Sequence, residues 1–589
     1  MINGWGDMIM VKQKRTTGYP FYDKPWENDY NYFERHPIIP NVNIYTLLKL
    51  LCVGKMDKIA IECNELSVTY KRLLKDAETV SRALQALSVK RGDIVSACMP
   101  NLYQAVVIFL ASNRIGAVTT FINPWLSIDG INGYLKKYKS PVLFNYGKTA
   151  EENRNYMQCS SIKYVVTLRT EMVDVLDLDL EPAAPSVPGL VDFNSLGVIA
   201  KKCKSDHHLA FNGRDTGLIL YTSGTTGAPK SVVLTNRNIV AAGIISKNDT
   251  KVKQLTGDRT LVCVPFTYPY GFYTSTLTTL LTGKTAILAP DISGDTIATY
   301  LMKKPNIIFG SPALIELIMR NTPDDQDLSS IMHIMSGGDF LTPSLASQAK
   351  EYFIRHGAKS VNIGNASGNA ETCSCGTHSL GKKVKPDTAG RLLVGTEAMI
   401  VDPETMEQKK YNEEGMLCVS GKHVFKEYYG EPQLTAEVKF MYEGKEYFKT
   451  GTIGSIDEEG YFTITGRFSR FYIRSSLDKV YLDHVQGVIS RLEPVFECAD
   501  IKVPDKEQLF VNYAFVVLKD GWPENEETKM KILEQCHHAV TLADGRQDQL
   551  KDYEIPQKII FVKELPRRSG TDKINYQELE KMVEETNAN

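Results

Sequence analysis

The sequence predicts an α/β protein: a large layered N-terminal domain followed by a small α+β C-terminal domain. Three observations carry this expectation. At 589 residues the chain is too long for one hydrophobic core. Apolar runs of strand length alternate with longer amphipathic stretches, the pattern of a layered α/β domain. Near Arg467 the composition changes, and 468–589 amounts to about one small domain of mixed strand and helix pattern. The expected division is an N-terminal arm over 1–40, a large domain over 41–467 and a small domain over 468–589.

The elements follow in order. Residues 1–40 are rich in Tyr, Trp, Phe and Pro without a period, and Tyr19-Pro20-Phe21-Tyr22 and Pro25-Trp26 predict an extended arm laid across the main domain. Disordered tails are poor in aromatic residues. A helix begins at Ile44. Ala60-Ile61-Glu62 and Val68-Thr69-Tyr70 read as a hairpin, Leu73–Leu87 as an amphipathic helix, and Arg91-Gly92-Asp93 as a turn into Ile94-Val95. Asn101–Ile115 is a further helix and Ala117–Ile122 a strand. Val173–Leu180 alternates apolar and acidic residues, and the prolines at 182, 185 and 188 mark a surface connector. No solenoid repeat is visible.

Composition narrows the function. Hydrophobic residues make up 43% and charged residues 23%, as in ordinary soluble proteins. The net charge of −2, without a long basic block, argues against nucleic acid as the main partner. Eleven cysteines, an odd and irregularly spaced set, do not form a disulfide framework. The one close pair, Cys373-Ser374-Cys375, lacks the second pair a zinc site needs. The N-terminus has no signal-peptide core. The longest apolar region, near Ala105–Ile122, is broken by Ser112-Asn113-Arg114 and is too polar to span a bilayer. A cytoplasmic protein without a transmembrane segment is expected.

The most informative stretch is Tyr221-Thr-Ser-Gly-Thr-Thr-Gly-Ala-Pro-Lys230. A predicted strand, Gly217–Leu220, runs into a loop holding Thr222, Ser223, Gly224, Thr225, Thr226 and Gly227, closed by Lys230. Glycine-rich loops expose successive backbone N–H groups that bind phosphate, hydroxyls add donors, and the lysine adds a point charge. The alternative is a plain Ser/Thr/Gly surface turn. The common P-loop is excluded because Pro229 stands where its second glycine must be.

The string resembles the phosphate-binding signature of the adenylate-forming superfamily, which includes the acyl-CoA synthetases and peptide-synthetase adenylation domains. The resemblance runs from about Asp57 to the end. It implies the adenylate-forming enzyme fold, with a small mobile C-terminal domain. Further motifs agree in order and spacing. Asn123-Pro124 is similar to the acyl-CoA synthetase form of an early motif. Pro265–Phe272 resembles the aromatic segment beside the acyl pocket, so Tyr268, Tyr270 and Gly271 are candidate pocket residues, with core packing as the alternative. Ser336-Gly337-Gly338-Asp339-Phe340 resembles the loop packed on adenine, with Asp339 where alanine is usual and Ser336 at the pocket. Asn365–Glu371 resembles the segment ending in the glutamate that holds Mg2+ on the triphosphate, which implies that role for Glu371. Gly368 and Ala370 belong to it, Ala370 replacing a threonine and Ser367 a tyrosine. Gly466-Arg467 matches the ribose-facing arginine. Leu565–Ile574 resembles the tail motif whose lysine, here Lys573, stabilises charge at the attacked α-phosphate.

Several positions depart from the pattern. Thr452 stands where an aspartate grips both ribose hydroxyls, and a threonine cannot make that charge-assisted pair. Ser469 occupies the hinge position, Ser476 replaces the glycine that lets pantetheine pass, and one extra residue precedes Lys479-Val480-Tyr481. The resemblance therefore implies ATP-dependent activation of a carboxylic acid to acyl-AMP, followed by transfer to coenzyme A. The rivals are an acyl-AMP ligase that delivers to a separate carrier protein and a catalytically weak nucleotide-binding homologue.

Overall fold

The computed structural model describes residues 16–28, 30–172, 174, 177–180, 188–203, 212–222, 229–248, 256–338, 341, 343–379, 385, 388–467, 470–475, 479–541, 547–567 and 573–588. The connector expected around 173–188 lies largely outside these residues.

Two mainly parallel sheets dominate the N-terminal part. In the first, Asn362–Ser367, His333–Gly337, Ile307–Gly310, Arg259–Val262, Thr285–Leu288 and Ile59–Cys63 lie side by side and parallel, with antiparallel strands at both edges. In the second, Thr216–Tyr221, Val118–Ile122, Ile94–Cys98, Val142–Tyr146, Tyr164–Leu168 and Leu190–Asp192 run parallel, and Ser231–Thr235 closes the Thr216–Tyr221 edge antiparallel. Their strands read as near-continuous apolar runs because sheets of this kind are covered on both faces.

The helix Tyr103–Arg114 lies between the sheets. It packs on Ile59–Cys63 of one and on Ile94–Cys98 and Val118–Ile122 of the other, and all its residues are buried. This explains the longest apolar stretch of the sequence without a membrane. No helix among the described residues is long and apolar enough to cross one. Asn113 and Arg114, which interrupt that stretch, are buried with partners: Asn113 Nδ2 donates to Asn236 Oδ1 at 2.7 Å, and Arg114 Nη1 to Ser81 Oγ at 2.9 Å. The hairpin forms over Ile59–Cys63 and Leu66–Thr69, and the amphipathic helix over Tyr70–Ala86 with Thr69 as its cap.

An antiparallel sheet follows, in which the long strand Lys445–Ile456 pairs with Gly415–Ser420, Lys439–Tyr442 and Phe462–Arg467. Beyond it, Val495–Asp505 pairs antiparallel with Leu509–Leu518, which pairs parallel with Lys558–Phe561. Alternate residues on these strands face opposite ways. Cys498, Ala514 and Val516 pack under the helices Leu482–Ile489 and Glu526–Cys536. Ala499, Ile501 and Phe515 pack under Tyr576–Ala588.

The arm is corrected by the structure. Residues 16–40 do lie on the main body, but as short helical turns, Pro20–Asp23, Pro25–Glu27 and Tyr32–Arg35, instead of an extended chain. Each of the first two starts on a proline, whose fixed φ suits the first position of a helix. Trp26 is fully buried, and the Phe21 ring meets Tyr442 edge-on at 5.6 Å. The aromatic segment runs into a π-helix over Tyr270–Leu277. All eleven cysteines are free thiols, and Cys373 and Cys375 are buried.

Candidate active site

A cavity of about 1700 Å³ opens where Thr216–Tyr221, His333–Gly337 and Asn362–Ser367 end, and the C-terminal part closes its far side. Carboxyl ends of parallel strands are where α/β sheets bind ligands.

Thr222, which follows Tyr221, lines this cavity together with Lys230. Thr222 N donates to the Lys230 carbonyl at 3.0 Å, and Lys230 N returns a bond to Thr222 Oγ1 at 3.1 Å, so the neck of the loop is pinned. Ser223, Gly224, Thr225, Thr226 and Gly227 lie outside the described residues, as does Asp339. The Lys230 ammonium sits 5.2 Å from the centroid of the Tyr428 ring. Tyr428 in turn donates its hydroxyl to Glu371 Oε1 at 2.6 Å. Burial, then the Glu371 charge, holds the Tyr428 hydroxyl in its protonated, donating form. Glu371 is 7% exposed, in a short turn capped by Asn369. Its backbone carbonyl accepts from Phe425 N at 2.6 Å.

Gly337 and Gly338 form a flat shelf. A Cβ on Gly337 would meet Ala366 O and the Tyr270 ring at 3.2 Å, and Gly338 has φ +88°. From the opposite side comes Lys573, whose Cε lies 3.8 Å from where a Cβ on Gly338 would stand. Lys573 is held there by its neighbours. Arg567 and Ile574 pair as a β-bridge, Asn575 N bonds Pro566 O at 2.7 Å, and the Tyr576 ring lies 3.5 Å beneath the Arg470 guanidinium.

Arg467 lines the cavity, and its Nη1 donates to Thr452 Oγ1 at 2.9 Å. Thr452 is 3% exposed and stands behind the wall. Asp483 fastens the chain just after this point. It accepts from Arg467 N at 2.9 Å and pairs with Arg470 Nε at 2.5 Å. Next to it, His484 contacts Asp548 at 3.0 Å and Glu554 at 3.4 Å. Burial opposes charge on this imidazole, but the two carboxylates outweigh it and raise its pKa to about 9.

Tyr268 and Tyr270 line the apolar end, with the Tyr270 hydroxyl donating to Met335 O at 2.6 Å. Gly368 and Ala370 also lie on the wall. Gly271 and Ser336 do not. Gly271 is buried against the carbonyls of Val264 and Pro265, where a Cβ would stand 2.2 Å from Val264 O, and Ser336 is fully buried within its strand. Sequence reasoning missed Tyr428, Asp483 and His484. Only Tyr428-Tyr429-Gly430, an aromatic pair before a turn glycine, carries a local signal.

A model of AMP-binding enzymes matches residues 51–429, and a model of the AMP-binding enzyme C-terminal domain matches 484–573. The chain belongs to this family. It is similar to the long-chain-fatty-acid–CoA ligase FadD13 of Mycobacterium tuberculosis, 26% identical over 512 residues, which cover 85% of this chain and 91% of that protein. A long-chain-fatty-acid–CoA ligase of Bacillus subtilis is 26% identical over 92% of this chain and 95% of its own length. In fold it resembles ATP-bound MatB from Rhodopseudomonas palustris, with a TM-score of 0.74 at 22% identity, covering 92% of this chain and 99% of that one.

At Glu371, where the sequence resemblance puts Mg2+, the wall offers a single carboxylate. No group of three His, Cys, Asp or Glu among the described residues is placed to hold a metal. That donor set fits Mg2+, which keeps several waters and is held by one or two carboxylates together with substrate phosphates.

Proposed function

We propose that this AMP-binding enzyme is an acid–thiol ligase whose catalytic groups are Lys573, Lys230 and Glu371 and whose acceptor is coenzyme A. The chain activates a carboxylic acid with ATP. A carboxylate oxygen attacks the α-phosphorus, the bond from that phosphorus to the bridging oxygen breaks, and pyrophosphate leaves with the electron pair. The acceptor thiol then attacks the acyl carbon, the carbon–oxygen bond to AMP breaks, and the thiol proton passes to solvent.

The observation that carries the reading is convergence on one cavity. Lys573, beside Gly338, lines the same cavity as Lys230, Tyr428 and Glu371. A preorganised cation at the attacked phosphorus stabilises charge as it develops. Lys230 and the loop after Thr222 hold the departing pyrophosphate, Gly337 and Gly338 take adenine, Arg467 faces the ribose, and Glu371 holds Mg2+, which neutralises phosphate charge when bound. Tyr268 and Tyr270 form an apolar wall suited to an acid with a hydrophobic tail or ring. Free thiols throughout agree with a cytoplasmic setting.

The test is pyrophosphate release from Mg·ATP with palmitate, decanoate, benzoate and 4-coumarate, each with and without coenzyme A. Acid-dependent release with thioester formation is expected. Release that is acid-dependent but never yields thioester would favour delivery to a carrier protein. No acid-dependent release with any of them would favour a nucleotide-binding homologue without turnover.

A further inference from the structure

The helix Pro312–Asn321 has two ends in different places. Its first turn, capped by Ser311, puts Pro312, Ala313 and Leu314 on the cavity wall. Leu314, Ile315 and Ile318 anchor it in the core of the large region. Its last turn carries Arg320, whose guanidinium lies 4.9 Å from the centroid of the Phe496 ring, on the opposite side of the cavity. Phe496 stands at the start of Val495–Asp505 beside Glu497. Glu497 accepts from Arg567 Nη2 at 2.7 Å, and Arg567 bridges to Ile574, the neighbour of Lys573. One turn before Arg320, Glu316 faces the same seam. Burial and then the Glu497 charge raise its pKa, while Arg320 and Arg567 pull it back. The seam thus holds two carboxylates and two guanidiniums around one aromatic ring.

We infer that Arg320 is a positioning residue: its contact with Phe496 latches the Arg567–Ile574 bridge, and with it Lys573, against the large region for the adenylating step. The inference rests on the role proposed for Lys573. The contact is suited to a latch. A cation over a partly exposed ring is a weak attraction, and a weak attraction can be made and broken within a turnover. The balanced charges of Glu316, Glu497, Arg320 and Arg567 make the seam self-complementary only when the two sides meet in this register, since juxtaposed like charges repel. Because the same rigid helix lines the cavity, a shift at its first turn moves Arg320 as well.

The test compares Arg320→Ala, Arg320→Glu and Arg320→Lys in the full chain. Deuterium uptake is followed in peptides spanning Ile574–Val583 with Mg·ATP present, alongside acid-dependent ATP–pyrophosphate exchange with the acids above. Loss of the cation–π contact is expected to lower exchange kcat about two- to fivefold, and the charge reversal to lower it further, with the KM for ATP unchanged. Arg320→Lys keeps the cation and is expected to restore most of the rate. Uptake is expected to rise in the glutamate variant while peptides of Leu509–Leu518 stay protected. Thioester formation from chemically prepared acyl-AMP and coenzyme A is expected at the parent rate. Unchanged uptake in Arg320→Glu, or equal loss in both half-reactions, overturns the latch. If Lys573→Ala retains full exchange, the role of Lys573 falls instead, whatever the uptake shows.

Discussion

Arg467 and Thr452 face each other across two antiparallel strands, and the arginine Nη1 donates to the threonine hydroxyl at 2.9 Å. The hydroxyl is buried, accepts from Arg467 and stands behind the cavity wall. An aspartate at 452 would pair with Arg467 and present a second oxygen forward. Thr452→Asp is therefore expected to tighten ATP binding, a charged hydrogen bond contributing about 1.5–3 kcal/mol at best. Titration calorimetry on both forms checks this. Weaker binding in the variant would mean that the site is built around threonine.

Tyr428 joins two charged groups, its ring under Lys230 and its hydroxyl on Glu371. Partners of this kind orient metal-binding carboxylates, and their loss typically costs about ten- to a hundredfold in metal affinity. Tyr428→Phe keeps the ring and removes the hydroxyl. The expected outcome is a higher Mg2+ requirement in pyrophosphate exchange, with little change in the KM for the acid. A magnesium titration at fixed ATP reads it directly. An unaltered requirement would separate Glu371 from the metal.

Lys573 projects over Gly338 in a cavity that also holds Glu371. Lys573→Ala is expected to slow acid-dependent exchange on the order of a hundredfold or more, the typical cost of losing a preorganised charge at the reacting centre. ATP affinity is expected to change far less, because Lys230 and the phosphate loop remain. Equal exchange in parent and variant would remove Lys573 from the chemistry.

These residues were legible in the sequence to different degrees. Thr222, Lys230, Gly337, Gly338, Glu371, Arg467 and Lys573 stand in contiguous motifs, and the structure brings them to one cavity. Strand and helix periodicity likewise gave the elements from Ile44 to Ile122 to within a few residues. Tyr428 was not legible because its contact with Glu371 spans 57 residues. Asp483 and Arg320 act through partners on other elements, which no local pattern encodes. Gly271 lies off the wall, packed on the Val264 and Pro265 carbonyls inside the π-helix Tyr270–Leu277, and a motif resemblance carries no information on that winding. The arm failed for a simpler reason. Proline disfavours strands and opens helical turns equally well, and only the packing of Phe21 and Trp26 decides between them.

His484 gives the protein a specific response to alkaline pH. Its pKa of about 9 exceeds the ordinary histidine value because Asp548 and Glu554 favour the charged ring more than burial disfavours it. Asp548 is shifted the opposite way; burial raises its pKa, but the hydrogen bond and charge of His484 outweigh this and lower it. A group whose folded pKa is raised stabilises the fold fully below its unfolded pKa, near 6.5, and loses that contribution as pH rises through the folded value. The window is therefore pH 6.5 to about 9, and the contribution at its lower end is about 3 kcal/mol from the shift. Melting temperature is expected to fall across this window in the parent protein and to fall less in His484→Gln, which keeps polar atoms but cannot charge. Because His484 follows Asp483, which fastens Arg467 and Arg470, exchange activity is expected to decline over the same range. Scanning calorimetry at half-unit pH steps on both proteins decides it. Parallel curves for the two would show that the ring is not held charged by its carboxylates.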